Sequence, residues 1–140
     1  MVNYWLCVTT KENWEIVKNK NVWGVSEKNR SLLEKTQVGD CLLFYIKTNQ
    51  LGGIFRIVSA PFRSEEDFFV STGESREAFP YCVRLETLVL PSEAKNFQEI
   101  VSRLRFVGGN KDAWRSMIRK AMQRTSSFSY EDFRKALETP

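Results

Sequence analysis

Trp23 and Gly24, followed closely by Ser26, Lys28 and Arg30, form the stretch of this chain best suited to chemistry. An indole offers a wide flat π face, a glycine lets a ligand approach the backbone, and lysine and arginine hold phosphate. That set suits a stacked nucleobase or a methylated group held against an aromatic wall. The same residues also read as a core tryptophan followed by a solvated charged loop. Phe62, Phe68 and Phe69 carry a similar pair of readings, core or ligand wall, because they fall in a charged, loop-like stretch. Arg115, Arg119, Lys120 and Arg124 lie opposite an apolar helical stripe, as a solvent face or as a track for a phosphate backbone.

Catalysis has less to work with. The chain has no histidine, which removes Ser-His-Asp and Cys-His sites and zinc sites with histidine ligands. Its three cysteines, Cys7, Cys41 and Cys82, are scattered through apolar runs and read as small buried hydrophobes. Their odd number and spacing argue against a disulfide framework and for a reducing, cytoplasmic setting. General acid–base work would fall to groups such as Asp40, Glu86 or Tyr45, and no carboxylate cluster is visible. The expectation is a binding protein rather than an enzyme, with no catalytic residue, metal or cofactor.

The elements that must position these residues follow from periodicity. At 140 residues, with 42% hydrophobic and 27% charged side chains, the chain is expected to form one domain over residues 1–140 with a core of its own. No run approaches the roughly 18–20 apolar residues of a membrane span, and the N-terminus reads as a first strand rather than a signal peptide. Net charge is +4, and all of the excess lies in residues 91–140, with 10 basic and 6 acidic side chains, a mild polyanion signal.

Tyr4–Val8 reads as a strand, followed by a helix capped by Thr9 or Thr10, with Glu12 at the spacing of a capping box on Thr9. Asn19–Asn21 ends that helix, and Trp23 is expected in a loop behind it. A short helix or loop covers 31–34, Val38-Gly39-Asp40 is a turn, and the continuous apolar run Cys41–Ile46 is the central strand. Gly52–Val58 is a strand entered through two glycines, and Phe79–Glu86 alternates as a half-exposed strand that Thr87–Leu90 extends. Helices are expected over 97–104, over 112–124 with Met117, Ile118, Ala121 and Met122 on one face, and over 130–137 with Ser129 as cap. Clustered strands favour an α+β fold with a mainly antiparallel sheet.

Over residues 3–135 this pattern resembles the EVE domain family, within the PUA-like superfamily and close to YTH domains. Four pieces carry the resemblance: Tyr4-Trp5-Leu6-Cys7-Val8 with Thr9-Thr10-Lys11-Glu12-Asn13-Trp14; Val22-Trp23-Gly24-Val25; Val38-Gly39-Asp40 before Leu42-Leu43-Phe44-Tyr45; and Gly52–Val58 with Phe79-Pro80-Tyr81-Cys82-Val83. The resemblance implies a small curved sheet or pseudo-barrel flanked by helices, with a pocket for one nucleobase. YTH domains hold N6-methyladenine in an aromatic cage, and EVE domains are regarded as readers of modified bases.

Carried over by position, Trp23 matches the cage tryptophan, with backbone groups of Gly24 and Val25 facing the base. Asn13 matches a polar position that bonds a base edge, and Thr9 lies at the rim. Ser26, Lys28 and Arg30 reach the nucleic-acid backbone, with Arg115 and Arg119 as further phosphate contacts. Where YTH domains place a second tryptophan, this chain has only phenylalanines. Phe62 is the expected second wall, because it follows its strand most closely. The resulting expectation is a module that binds DNA or RNA and reads a methylated base, with no membrane partner. A general RNA-binding module without base selection, or a nucleic-acid-processing enzyme, are the alternatives.

Overall fold

The computed structural model describes residues 2–47, 50–65, 69, 78–96, 120–125 and 127–138. Its elements run β1 (Tyr4–Thr9), α1 (Lys11–Lys20), β2 (Val22–Val25), a 3-10 turn (Glu27–Asn29), α2 (Arg30–Glu34), β3 (Cys41–Ile46), β4 (Gln50–Ile57), β5 (Phe62–Arg63), β6 (Tyr81–Val89), β7 (Lys95–Asn96), β8 (Met122–Thr125) and α3 (Ser127–Glu138). Phe68, the expected helix over 97–104 and the 112–119 part of the next helix, with Arg115 and Arg119, lie outside the described residues.

The strands form one mixed, curled sheet in the order β2-β6-β4-β3-β1-β8, with β5 on β6 and β7 on β4. Among the described strands β1 and β3 pair in parallel, and the other pairings are antiparallel. This is the expected α+β architecture, a half-barrel with three helices among the described residues.

The continuous apolar run of β3 has a physical cause. The strand sits between β1 and β4 and is covered on both faces, so alternation disappears. Leu42, Phe44 and Ile46 face a core shared with Trp5, Trp14, Trp23 and Phe55. Cys41, Leu43 and Tyr45 face a second core, closed by Phe133, Ala136 and Leu137 of α3.

Two small features fix the corners. The Val38-Gly39-Asp40 turn has Gly39 at φ +99°, a conformation costly for other residues. Buried Asp40 accepts hydrogen bonds from the backbone N–H of Asn3, the Trp5 indole N–H and the backbone N–H of Gln37, each at 3.0 Å. One carboxylate thereby ties the start of β1 to the turn before β3. Under α1, the Trp14 ring lies on the backbone of β4. A Cβ on Gly52 would come within 2.7 Å of it, so the paired glycines stand inside the strand to admit an indole.

Several boundaries differ from expectation. Thr10, not Thr9, caps α1: its Oγ1 accepts from the Asn13 N–H, and Thr9 ends β1, so the Thr9/Glu12 capping box does not form. The Trp23 segment is a strand rather than a loop, because α1 stops at Asn21 in a left-handed conformation, φ 52°, and the chain turns straight onto β6. Met122 and Arg124 belong to a strand, not a helix, because the open edge of β1 pairs with them. The last helix begins at Ser127, so Ser129 lies inside it rather than at its cap.

Candidate nucleic-acid interface

β2 carries three of the expected site residues, Trp23, Gly24 and Val25, with Ser26 directly after it, and all four are buried. Trp23 is 4% exposed. Its ring meets Phe44 edge-on, with centroids 5.3 Å apart, and Phe69 likewise at 6.1 Å. The Trp23 indole N–H is buried and has no hydrogen-bond partner among the described residues. An unmade bond in such a place costs about 1–3 kcal/mol, so it marks a position that wants an acceptor.

Beside Trp23, Gly24 is needed for space. A Cβ there would lie 2.7 Å from the Phe69 ring and 2.9 Å from the Phe79 carbonyl oxygen. Val25 is buried opposite Tyr81. Thr9 and Asn13 are buried at the corner of β1 and α1, where the Thr9 carbonyl accepts from the Lys47 N–H. Phe44 joins this corner to β2, since it packs against Trp14 as well as Trp23.

Phe62 goes elsewhere. Gly24, Cys82 and Phe62 stand in one row across β2, β6 and β5, one position from the row of Trp23 and Val83. Phe62 packs against the edge of the same core and lines the cavity beside α2 with Arg30, Arg63 and Tyr81. The Phe62 ring lies under the Arg84 guanidinium at 5.2 Å. Phe69 is the loop phenylalanine whose ring meets Trp23, and closeness to a strand in sequence does not select it.

The cations divide into two groups. Lys28 is exposed and lines an open cleft of about 570 Å³ with Ser26, Asn29, Leu32 and the segment from Lys120 to Arg124. Among the described residues Lys28, Lys120 and Arg124 give it three positive charges, and no acidic side chain lines it. Arg124 also donates to Asn3 Oδ1. Arg30, in contrast, is held locally: its Nε donates to Glu34 at 3.0 Å, and its guanidinium lies 4.8 Å over the Tyr81 ring.

The groups considered for catalysis do not converge. Asp40 is committed to its three N–H donors, and Glu86 pairs with Arg56. Tyr45 is buried about 16 Å along β3 from Asp40, at 3.3 Å per residue. All three cysteines are buried and free, and burial pushes the Cys82 thiol up to about 11 and Cys7 well above its ordinary value. Such thiols are poor nucleophiles near neutrality. No group of metal-ligating side chains occurs among the described residues, and no described helix is long and apolar enough to cross a membrane.

A UPF0310 protein of Pyrococcus abyssi is 31% identical over 140 residues, covering 93% of this chain and 96% of that protein. Among solved structures, human THYN1 in complex with 5-methylcytosine-containing DNA is similar with a TM-score of 0.65 at 13% identity, covering 99% of each chain. The YTH domain of Zygosaccharomyces rouxii MRB1 in complex with N6-methyladenosine RNA is similar with a TM-score of 0.64 at 11% identity, covering 99% of this chain and 89% of that one. These likenesses share the PUA-like fold. The EVE domain family model matches residues 3–135, nearly the whole chain, and the protein belongs to the EVE domain family.

Proposed function

We propose that this protein is a nucleic-acid-binding module that reads a methylated base against Trp23 and holds the strand through the Lys28–Lys120–Arg124 cleft. The observation that carries the reading is the buried Trp23 N–H, without a partner among the described residues, inside an aromatic box. Support also comes from two proteins of the same fold, one in complex with methylated DNA and the other with methylated RNA.

The box is closed as it stands. A base stacked between two rings needs about 7 Å between their planes, twice the ordinary carbon contact. Phe69, edge-on at 6.1 Å, leaves no such slot. On this reading the base takes the place of Phe69 and stacks on Trp23, while another oxygen of the same strand, at the edge of the ring, accepts the indole N–H. The target nucleotide is splayed from a single strand or flipped from a duplex, at a cost of a few kcal/mol, and stacking returns about 1–3 kcal/mol. Thr9, Asn13 and the Gly24–Val25 backbone are the proposed edge contacts. Ser26, three residues beyond Trp23, leads from the box into the basic cleft. The reading is of a binding module, with no catalytic group assigned.

The test is equilibrium binding to short strands carrying plain or methylated adenine and cytosine, across a salt series. A preference for one methylated base that depends on Trp23 is the expected result. Equal affinity for every strand, with a steep salt slope, would instead favour a general RNA-binding module. That second reading draws on the basic cleft being open while the Trp23 box is filled.

A further inference from the structure

A second cavity, of about 330 Å³, lies on the other side of α2, between that helix and β5–β6. Its chemistry comes from Arg30, Leu33 and Glu34 of α2 and from Arg63 and Tyr81. Arg30 is fixed there as a platform. Its guanidinium lies over the Tyr81 ring, Glu34 accepts from its Nε, and Glu27 lies 3.7 Å from its terminal nitrogen. A guanidinium held from below and from its edge is a preorganised surface on which a flat π system stacks. Arg63 sits beside this platform, directly opposite Tyr81 in the strand register, and forms no ion pair among the described residues. Leu33, buried in the core, supplies an apolar wall. A stacking plane, an apolar wall and a cation with no ion pair among the described residues match an aromatic base with a phosphate attached.

Register also relates this cavity to the first site. Trp23 pairs with Val83 and Val25 with Tyr81, so Trp23 and Tyr81 are diagonal neighbours on one face of the paired strands. Such neighbours lie about 7–8 Å apart, a separation suited to neighbouring nucleotides of a splayed strand.

We infer that this cavity is a second nucleotide subsite, in which a base stacks on the Arg30–Tyr81 pair and its phosphate meets Arg63. The inference rests on the proposed function for its source: the occupant is the nucleotide next to the one read at Trp23. Its role is to set sequence context.

The experiment is an amide-shift titration of the whole chain, in wild type, Arg63→Gln and Trp23→Phe, with AMP, ribose 5-phosphate and inorganic phosphate. A five-nucleotide single strand follows. AMP is expected to shift the amides of Arg63 and Tyr81 in wild type and in Trp23→Phe, and Arg63→Gln to weaken this about ten-fold. Ribose 5-phosphate and phosphate leave those amides unmoved. The strand shifts the same amides and binds more tightly than AMP. Absence of AMP shifts at Arg63 and Tyr81, or equal shifts with phosphate alone, overturns the nucleotide subsite whatever happens at Trp23. Strand binding that depends on Trp23 but not on Arg63 overturns it while leaving base reading intact. AMP binding without strand shifts at these amides overturns the assignment to a neighbouring nucleotide and points to a free mononucleotide.

Discussion

Replacing Trp23 by phenylalanine separates a packing role from a ligand role more cleanly than replacing it by alanine. At 4% exposure, with rings at 5.3 and 6.1 Å, Trp23 is packed as a core residue. Its loss to alanine costs about 3–5 kcal/mol, a large part of the ~5–15 kcal/mol that holds a domain together. Phenylalanine keeps the aromatic contact with Phe44 and removes the indole N–H, which is buried without a partner among the described residues. Deleting that orphan donor returns about 1–3 kcal/mol. The smaller ring gives back a similar amount in lost packing, so net stability changes by less than about 1 kcal/mol. A ligand that accepts the N–H loses a hydrogen bond and some stacking, and binds about ten-fold more weakly. The assay is a urea melt and a fluorescence-anisotropy titration on the same preparation. Destabilisation above about 2 kcal/mol with unchanged affinity would refute the reasoning and make the tryptophan a packing residue only.

Other outcomes follow from single contacts. Gly52→Ala drives a methyl into the Trp14 ring, and a urea melt should show a loss of about 1–3 kcal/mol. Asp40→Ala strands a buried indole N–H and two backbone N–H groups, so stability should fall by about 3 kcal/mol or more, with tryptophan emission reporting Trp5. The raised thiol of Cys82 favours the protonated form in the folded state, so its stabilising effect is complete below the ordinary value of 9.0 and is lost as pH rises towards about 11. Melts of wild type and Cys82→Ala should therefore diverge above pH 9 and run parallel below it. Lys28→Ala should lower the slope of log affinity against log salt by about 1 and leave any base preference intact.

Much of the fold was legible because local pattern and tertiary context agree. The six apolar residues of β3 announce a strand buried on both faces, and α1 carries its own cap and stop at Thr10 and Asn21. Where they diverge, a distant partner decides. Met122 has helical spacing to Met117 and Ile118 in the sequence, yet pairing with Cys7, far away in the chain, makes it a strand residue. Gly52 and Gly53 read as an entrance to β4, but the Trp14 ring is the reason for Gly52, and an indole on the first helix is invisible from β4. At the site, residue types are legible and facing is not. Trp23 and Phe62 both look like walls, and only the folded chain puts Phe69 against the indole and Phe62 in the cavity beside α2. The cavity itself leaves no sequence signal, because neither Arg63 nor Tyr81 has a neighbour in the chain that hints at Arg30.

The edge strand β8 ties binding to the order in which the sheet assembles. β3 and β4 join through a short connection, whereas β8 reaches β1 only after the chain has travelled from Cys7 to Met122. Closing so long a loop is entropically costly, and a four-residue strand with one neighbour among the described strands has few bonds to offset it. β8 is thus a late strand to dock and prone to open in local unfolding. Lys120 and Arg124 ride on this segment, while Lys28 across the cleft follows β2, which reaches β6 much nearer in sequence to β3 and β4. A polyanion bridging the two banks stabilises the sheet edge, and any loosening of that edge weakens the grip on the polyanion, since linkage runs both ways. Amide exchange at β8 is in this sense an internal gauge of occupancy.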